Sequence, residues 1–258
     1  MFAYHRGIVQ EFWLSSAAFA GVMCALAAVG VAAQPPGPND PFAAQRTAMV
    51  EEQIRGRGIE EPRLLNALRT VPRHEFVPDS LRDAAYGDEP VQIGSGQTVS
   101  QPYLVALMAD LLELDGDEKL LEIGTGSGYT TAVLARLARR VYSIEIIDDL
   151  AERAQGVLDD LGYANVEVRV GDGYRGWPEE APFDGILVAA APAEVPPPLI
   201  EQLKVNGILV APVGGPLQDL VVIRKTPEGL ERRQVDVVRF VPMVGQAQED
   251  PEGENPNF

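Results

Sequence analysis

A glycine-rich segment and three acidic residues are the parts of this sequence that could carry chemistry. Residues 120–129 read L-L-E-I-G-T-G-S-G-Y, so that Glu122 precedes three alternating glycines. Glu145 ends the next short apolar run, and Asp172 follows a third one. Glycines allow the φ angles of a tight loop and let a ligand approach the backbone, and a carboxylate at a strand end can accept the hydroxyls of a ribose. The pattern therefore predicts a site for a nucleoside-type cofactor.

The spacing of the glycines distinguishes between such cofactors. A dinucleotide site has the pattern G-x-G-x-x-G, and the last position of that pattern is Tyr129 here. The pattern present is E-x-G-x-G-x-G, in which Glu122 precedes Gly124, Gly126 and Gly128. A carboxylate at this position would repel a pyrophosphate but suits a cofactor with an amino-acid group and a sulfonium cation. We therefore predict S-adenosyl-L-methionine as the cofactor and disfavour an NAD-dependent dehydrogenase.

A mostly parallel sheet would bring these residues together, because ligands of open α/β sheets bind at the carboxyl ends of the strands. Apolar runs predict strands over residues 120–123, 141–145, 166–170, 183–188, 207–212, 220–225 and 235–241, the last two antiparallel. Helices are predicted over residues 42–57, 62–69, 103–114, 131–138 and 199–204. The sequence thus predicts a Rossmann-like α/β fold, a doubly wound sheet with antiparallel C-terminal strands behind an N-terminal helical segment.

The first 33 residues have the composition of a targeting segment. Arg6 lies in a short polar start, residues 15–33 are apolar and uncharged, and small residues occupy the −3 and −1 positions of a cleavage site before Gln34. We expect a signal peptide and export to the periplasm, and an uncleaved membrane anchor over residues 15–33 is the alternative. Residues 34–41 are rich in proline and glycine and are predicted to form a linker.

Charge and composition exclude several function classes. The chain has 258 residues and a net charge of −17, which argues against a nucleic-acid partner. The single cysteine, Cys24, lies in the targeting segment, so disulfides and cysteine catalysis are not expected in the processed chain. His74 is interpreted as structural, since the sequence lacks the nucleophile elbow G-x-S-x-G of hydrolases. A single domain is predicted over residues 42–245, and the acidic residues 246–258 are predicted to be a disordered tail.

A polar, glycine-rich stretch over residues 86–102 precedes the predicted helix at residue 103. Ser100 lies two residues before Pro102, so its hydroxyl could cap that helix. The same hydroxyl and the neighbouring amides could instead bind a carboxylate. The two roles are compatible, and the residues alone favour neither.

Four segments together resemble the protein-L-isoaspartate O-methyltransferase family, a branch of the class I S-adenosylmethionine-dependent methyltransferases. They are G-S-G-Q-T-V-S-Q-P at residues 94–102, L-E-I-G-T-G-S-G-Y at 121–129, G-D-G at 171–173 and F-V-P at 240–242. The resemblance covers roughly residues 45–245, and the first of the four segments is specific to this family. One departure is Ala189, where the family often has threonine.

The resemblance implies a fold, a reaction and a role for each site residue. The enzyme would methylate the α-carboxyl group of L-isoaspartyl, and secondarily D-aspartyl, residues in damaged proteins, and the ester would then collapse to a succinimide that can reopen as aspartate. Ser100 would contact the reacting carboxylate. The isoaspartyl site would be lined by Thr98, Val99 and Val241. The cofactor would be held by Glu122, Gly124, Gly126, Gly128, Glu145 and Asp172, where Glu145 binds the ribose and Asp172 the adenine amino group.

The resemblance also implies isoaspartyl-containing proteins and peptides as partners, and the cytoplasmic location that is usual for the family is the alternative to export. The sequence shows no cluster of metal ligands, so no metal is expected, and we expect a monomer. Two alternative functions share the glycine loop. A methyltransferase for a small molecule has no reason to carry the segment 98–100, and a non-catalytic binding protein is expected to have lost the acids at its strand ends.

Overall fold

The computed structural model describes residues 40–249. The predicted targeting segment, most of the linker and residues 250–258 of the tail lie outside the described residues. Residues 246–249, which were predicted to begin a disordered tail, form the short helix α7 (Gln246–Glu249).

A helical region precedes the sheet, as predicted. Its elements are α1 (Ala43–Ala48), the π-helical turn Met49–Ile54, the 3₁₀ turn Arg55–Arg57, α2 (Pro62–Thr70), and the 3₁₀ turns Arg73–Phe76 and Asp79–Ala84. The predicted helix over 42–57 is therefore one continuous helical run, and it ends at Gly58, whose φ of +93° is a left-handed conformation that glycine adopts readily. α2 begins with Pro62 at its first position, where the missing N–H costs nothing.

The central sheet has seven strands: β3 (Lys119–Ile123), β4 (Arg140–Glu145), β5 (Val166–Val170), β6 (Phe183–Val188), β7 (Leu203–Gly214), β8 (Gln218–Thr226) and β9 (Gly229–Val238). Their order in the sheet is β5-β4-β3-β6-β7-β8-β9. The first five strands in this order pair in parallel, and β7–β8 and β8–β9 pair antiparallel. A separate two-stranded sheet pairs β1 (Val91–Gly94) with β2 (Gln97–Val99).

The order of strands reverses at β3, which lies between β4 and β6. Chain connections leave on opposite sides of the sheet at such a point and open a crevice at the carboxyl ends of the strands. The helices that follow the strands are α3 (Pro102–Asp110), α4 (Tyr129–Ala135), α5 (Asp148–Asp160) and α6 (Pro197–Gln202). Two separate clusters of buried apolar residues cover the sheet, one centred on Leu120 and Val141 and the other on Leu121 and Ile186. The predicted doubly wound sheet is confirmed.

Several predicted bounds are wrong in detail. The helix predicted over 103–114 ends at Asp110, the strand predicted over 207–212 already begins at Leu203, and the last strand ends at Val238. The helix α5 and the hairpin β1–β2 were not predicted. No helix within residues 40–249 is long and apolar enough to cross a bilayer.

Of the two roles left open for Ser100, helix capping is wrong. α3 begins at Pro102, its N-cap residue is Gln101, and no side chain caps it. Proline pushes the residue before it into extended conformation, so the helix cannot begin earlier than Pro102 itself. Gln101 has a ψ of 137° as this rule requires, and the hydroxyl of Ser100 is left for another role.

Candidate active site

The glycine loop follows β3 as predicted. Gly124, Gly126 and Gly128 have φ angles of +90°, +55° and +89°, all in the left-handed region. Other residues adopt this region only at a cost of roughly 1–2 kcal/mol each. Gly128 directly precedes α4, and a Cβ atom on it would lie 3.3 Å from Cβ of Ala154 in α5. The alternating glycines are therefore required both by the loop conformation and by close packing.

Glu145 ends β4 and binds the glycine loop. Its Oε2 accepts the backbone N–H of Gly126 at 2.8 Å, and its Oε1 accepts the backbone N–H of Ile147 at 3.0 Å. Each oxygen of a carboxylate has a second lone pair. The side chain lines the cavity described below, so the remaining lone pairs are available to a ligand with paired hydroxyls.

Glu122 lies beneath the loop and is fully buried. Its Oε2 accepts the hydroxyls of Thr131 at 2.5 Å and Ser143 at 2.7 Å, and its Oε1 has no partner among residues 40–249. Burial raises the pKa of this carboxyl from 4.5 to about 7, although the two hydroxyl donors oppose the shift. Thr131 belongs to α4 and Ser143 to β4, so Glu122 joins three elements under the loop.

A cavity opens at the carboxyl ends of β3, β4 and β6, above the glycine loop. The residues that were predicted to form the site and that line this cavity are Thr98, Val99, Ser100, Gly124, Gly126, Glu145 and Val241. The structure thus brings the polar segment before α3, the glycine loop and the C-terminal segment to one space. Ala189, which departs from the family pattern, also lies on the cavity wall.

Three predicted site residues do not lie on this wall. Glu122 is buried beneath the loop, and Gly128 packs against Ala154 of α5, as described above. Asp172 precedes the 3₁₀ turn Gly173–Arg175, and its Oδ1 accepts the backbone N–H of Tyr174 at 3.0 Å. Its Oδ2 accepts the backbone N–H of Gln246 at 2.8 Å, so this carboxylate holds the C-terminal helix α7. The contact of Asp172 with an adenine stays a prediction.

The sequence analysis predicted Val99 and Val241 but missed other apolar residues of the wall. Ile146, Met243 and Val244 line the cavity, and Ile146 and Val244 are 36% and 37% exposed. Ile146 directly follows Glu145 at the end of β4, a position at which the sequence could have predicted it. Met243 and Val244 reach the cavity because Ala191 pairs with the C-terminal segment, accepting the backbone N–H of Met243 at 2.8 Å. Nothing in the sequence pattern indicates that pairing.

His74 lies outside the cavity wall. It is buried, its Nδ1 lies 2.8 Å from the hydroxyl of Tyr86, and its ring stacks on Phe42 with 4.2 Å between centroids. Burial lowers the pKa of the imidazole, which favours its neutral form. These contacts agree with the structural role predicted for His74.

A family model described as protein-L-isoaspartate(D-aspartate) O-methyltransferase matches residues 44–248. The chain belongs to this family. The resemblance inferred from the four sequence segments is therefore confirmed, and with it the class I methyltransferase fold and the enzyme class.

Curated relatives match over nearly their whole length. A protein-L-isoaspartate O-methyltransferase of Synechococcus sp. is 54% identical over 219 residues, which are 82% of this chain and 90% of the relative. An enzyme of the same name from Syntrophus aciditrophicus is 54% identical over 211 residues, which are 80% of this chain and 97% of the relative.

Solved structures agree with the sequence relatives. A structure named protein-L-isoaspartate O-methyltransferase superposes with a TM-score of 0.71 and 29% identity, covering 80% of this chain and 67% of the other. A putative protein-L-isoaspartate O-methyltransferase from Plasmodium falciparum superposes with a TM-score of 0.67 and 26% identity, covering 77% of this chain and 98% of the other. That second protein was solved in complex with S-adenosyl-L-homocysteine.

Proposed function

We propose that this chain methylates the α-carboxylate of L-isoaspartyl residues, and secondarily D-aspartyl residues, in damaged proteins, with S-adenosyl-L-methionine as the donor. The observation that carries the proposal is that the segment Thr98–Ser100 and the glycine loop both line one cavity. The first segment is the part of the sequence that is specific to the family, and the second is the predicted cofactor site. That both segments line one cavity supports the proposal that acceptor and donor bind next to each other.

The residues present fit the cofactor. Glu145 offers two oxygens with free lone pairs at the cavity wall, which suits a ribose diol. Ile146 and Val244 expose apolar surface at the same cavity, which suits the faces of an adenine ring. Gly124 and Gly126 carry no side chain that would fill the space above the loop. The methionine part would lie against the loop, over the buried Glu122.

The reaction needs positioning more than proton transfer. A carboxylate with an ordinary pKa is ionised at neutral pH, so the attacking oxygen needs no general base. When bound, the cofactor supplies an electrophilic methyl carbon next to a sulfonium centre. The chain has to hold the carboxylate oxygen in line with that carbon, which is the kind of catalysis that comes from orientation. A cavity whose wall carries serine and threonine hydroxyls, one carboxylate and no histidine suits this task.

We assign the acceptor side of the cavity to three elements. Ser100 would donate its hydroxyl to the reacting carboxylate, and this residue lines the cavity. Thr98, Val99 and Val241 would enclose the isoaspartyl residue. Thr98 and Val99 end the short hairpin β1–β2, whereas Val241 is fixed through its carbonyl, which accepts the backbone N–H of Ala191 at 2.8 Å.

The proposal is tested by following repair itself. A synthetic isoaspartyl peptide is incubated with the protein and S-adenosylmethionine, and the peptide is separated by chromatography over time. We expect the succinimide and then the aspartyl peptide to appear, and neither to appear without the cofactor. Cofactor binding with no change in the peptide would favour the alternative of a small-molecule methyltransferase.

We also propose that the N-terminal segment directs the chain out of the cytoplasm. Support comes from the uncharged apolar run over residues 15–33 and from the small residues at its end. Expression of the full chain in a bacterium, followed by fractionation and N-terminal sequencing, should give a periplasmic protein that begins at Gln34. A cytoplasmic protein that begins at Met1 would contradict export, and a membrane-bound one would indicate an anchor. The monomeric state stays a prediction.

A further inference from the structure

Arg73 is fully buried and has no acidic partner among residues 40–249. Its side chain has no exposed surface, and burial lowers the pKa of its guanidinium. The charged groups that act on it within residues 40–249 include no carboxylate. Burying an unpaired charge is costly, and an apolar residue of similar volume would fill the same space at a lower cost. The arginine therefore calls for an explanation other than core packing.

The hydrogen bonds of Arg73 join two separate segments. Its Nε donates to the carbonyl oxygen of Ala85 at 2.6 Å, and one terminal nitrogen donates to the carbonyl oxygen of Ser100 at 2.7 Å. A guanidinium presents its donors in a rigid planar fork, so the two bonds fix both the distance and the direction of the carbonyls. The backbone of Ser100 is thereby held by a buried side chain that does not itself line the cavity.

The same guanidinium also contacts the cofactor side of the site. Its central carbon lies 4.5 Å from the centroid of the Tyr129 ring, at a distance typical of a cation–π contact. Tyr129 is the first residue of α4 and directly follows Gly128 of the glycine loop. Arg73 therefore contacts both the segment that carries Ser100 and the helix that begins at the end of the glycine loop.

We propose that Arg73 is a positioning residue that sets the separation of the acceptor segment at Ser100 from the glycine loop. It acts through the Ser100 carbonyl and the Tyr129 ring and touches neither substrate nor cofactor. Methyl transfer is sensitive to this separation, because a misplacement of 1 Å in an oriented reaction costs on the order of 100-fold in rate. The inference rests on the role proposed for Ser100.

The test compares two buried arginines. Arg46 is also buried and donates to a backbone carbonyl, that of Arg69 at 2.7 Å, but it pairs with Asp40 and lies away from the cavity. Arg73→Met, Arg73→Lys and Arg46→Lys are measured for thermal stability, for binding of S-adenosyl-L-homocysteine, and for kcat and KM with an isoaspartyl peptide. The kinetics are run well below the melting temperature of each variant.

We expect Arg73→Met to lower kcat by about 10-fold or more, in line with the sensitivity of oriented reactions to position. Its affinity for S-adenosyl-L-homocysteine should change by less than about threefold, because the cofactor loop itself is intact. Arg73→Lys keeps the positive charge and one donor nitrogen in place of the planar fork, so it should recover part of the lost turnover. Arg46→Lys should lose stability and keep the kcat of the unaltered protein.

The inference is overturned if the Arg73 variants lose stability alone and keep their kcat, as a structural residue would. It is also overturned if neither variant folds, or if Arg46→Lys lowers kcat to the same extent. A failure of the proposed function is a separate outcome, since the unaltered protein would then leave the isoaspartyl peptide unmethylated. An unaltered protein that methylates, together with unaffected Arg73 variants, would contradict the positioning role and nothing else.

Discussion

The carboxylate of Glu145 accepts the backbone N–H of Gly126, with 2.8 Å between Oε2 and the amide nitrogen. This bond connects the end of β4 to the loop that follows β3. The residue proposed to bind the ribose therefore also fixes the loop proposed to hold the methionine part of the cofactor. One side chain couples the two halves of the cofactor site.

Replacing Glu145 by glutamine should weaken cofactor binding. The amide keeps one acceptor oxygen, so either Gly126 or Ile147 loses its partner, and the charge that strengthens a bond to a ribose hydroxyl is lost. Bonds to charged groups contribute about 1.5–3 kcal/mol, which corresponds to an increase in Kd of roughly 10- to 100-fold. Calorimetric titration with S-adenosyl-L-homocysteine measures this change.

The matched control for this variant is Glu167→Gln. Glu167 lies on the neighbouring strand β5, and its half-exposed side chain pairs with Arg140 at 2.7 Å, away from the cavity. Its substitution should leave the Kd unchanged. Equal effects of the two substitutions would contradict the role assigned to Glu145.

Removing the hydroxyl of Ser100 should lower turnover and leave cofactor affinity unchanged. The hydroxyl is proposed to donate to the reacting carboxylate, and loss of one such bond costs about 1.5–3 kcal/mol in the transition state. We expect kcat/KM for an isoaspartyl peptide to fall roughly 10- to 100-fold in Ser100→Ala. Ser80→Ala, at an exposed position outside the cavity, is the control. An undiminished kcat/KM in Ser100→Ala would exclude the proposed contact.

The buried Glu122 should make the stability of the protein depend on pH. Because burial raises its pKa from 4.5 to about 7, the folded state binds the proton more tightly than the unfolded state. The contribution of Glu122 to stability is greatest below pH 4.5 and falls as the pH rises to about 7. Above that pH it does not change further. Glu122→Gln removes this dependence. The free energy of unfolding of the variant minus that of the unaltered protein should therefore rise by about 3 kcal/mol between pH 4.5 and about pH 7. Urea unfolding at a series of pH values measures it, and parallel curves for the two proteins would show that Glu122 does not titrate in this way.

A methyl group on Gly173 should disturb both the core and the cavity. A Cβ atom there would overlap with Cγ2 of Ile123, whereas a Cβ atom on the nearby Gly171 would lie 3.7 Å from Cγ2 of Ile144, an ordinary contact. Overpacking of this kind typically costs 1–3 kcal/mol, so about that loss of stability is expected for Gly173→Ala. Gly171→Ala should be tolerated. Thermal unfolding with and without S-adenosyl-L-homocysteine compares the two, and a larger loss in Gly171→Ala would contradict the packing described here.

The bounds of the parallel strands β3 to β6 could be predicted well from the sequence. The strands β5 and β6 have the predicted bounds, and β3 and β4 each begin one residue earlier than predicted. A buried parallel strand such as β6 is recognisable as a nearly continuous apolar run. The strand β5 lies at the edge of the sheet and is recognisable by its alternation of valine with charged residues. The helix α5 was missed although Leu150, Ala151, Ala154 and Leu158 are buried at helical spacing, so a periodicity count would have found it.

The site residues that directly follow strands could be predicted from the sequence. Contacts between residues far apart in the sequence could not. Glu145 and the glycine loop lie at strand ends, and their position follows from the fold class. The bond from the backbone N–H of Gln246 to Asp172 joins residues 74 positions apart, and no local pattern encodes it. The bond between Arg73 and Ser100 is likewise a tertiary contact, which the sequence could not place.

The central claim is that this cavity transfers a methyl group to an isoaspartyl carboxylate and not to an aspartyl one. The most direct measurement offers residues 34–258 a pair of peptides that differ only in an isoaspartyl or an aspartyl linkage, with methyl-labelled S-adenosylmethionine. We expect base-labile label on the isoaspartyl peptide alone, and less of it with Ser100→Ala. Equal labelling of both peptides, or of neither while the cofactor is bound, would contradict the account.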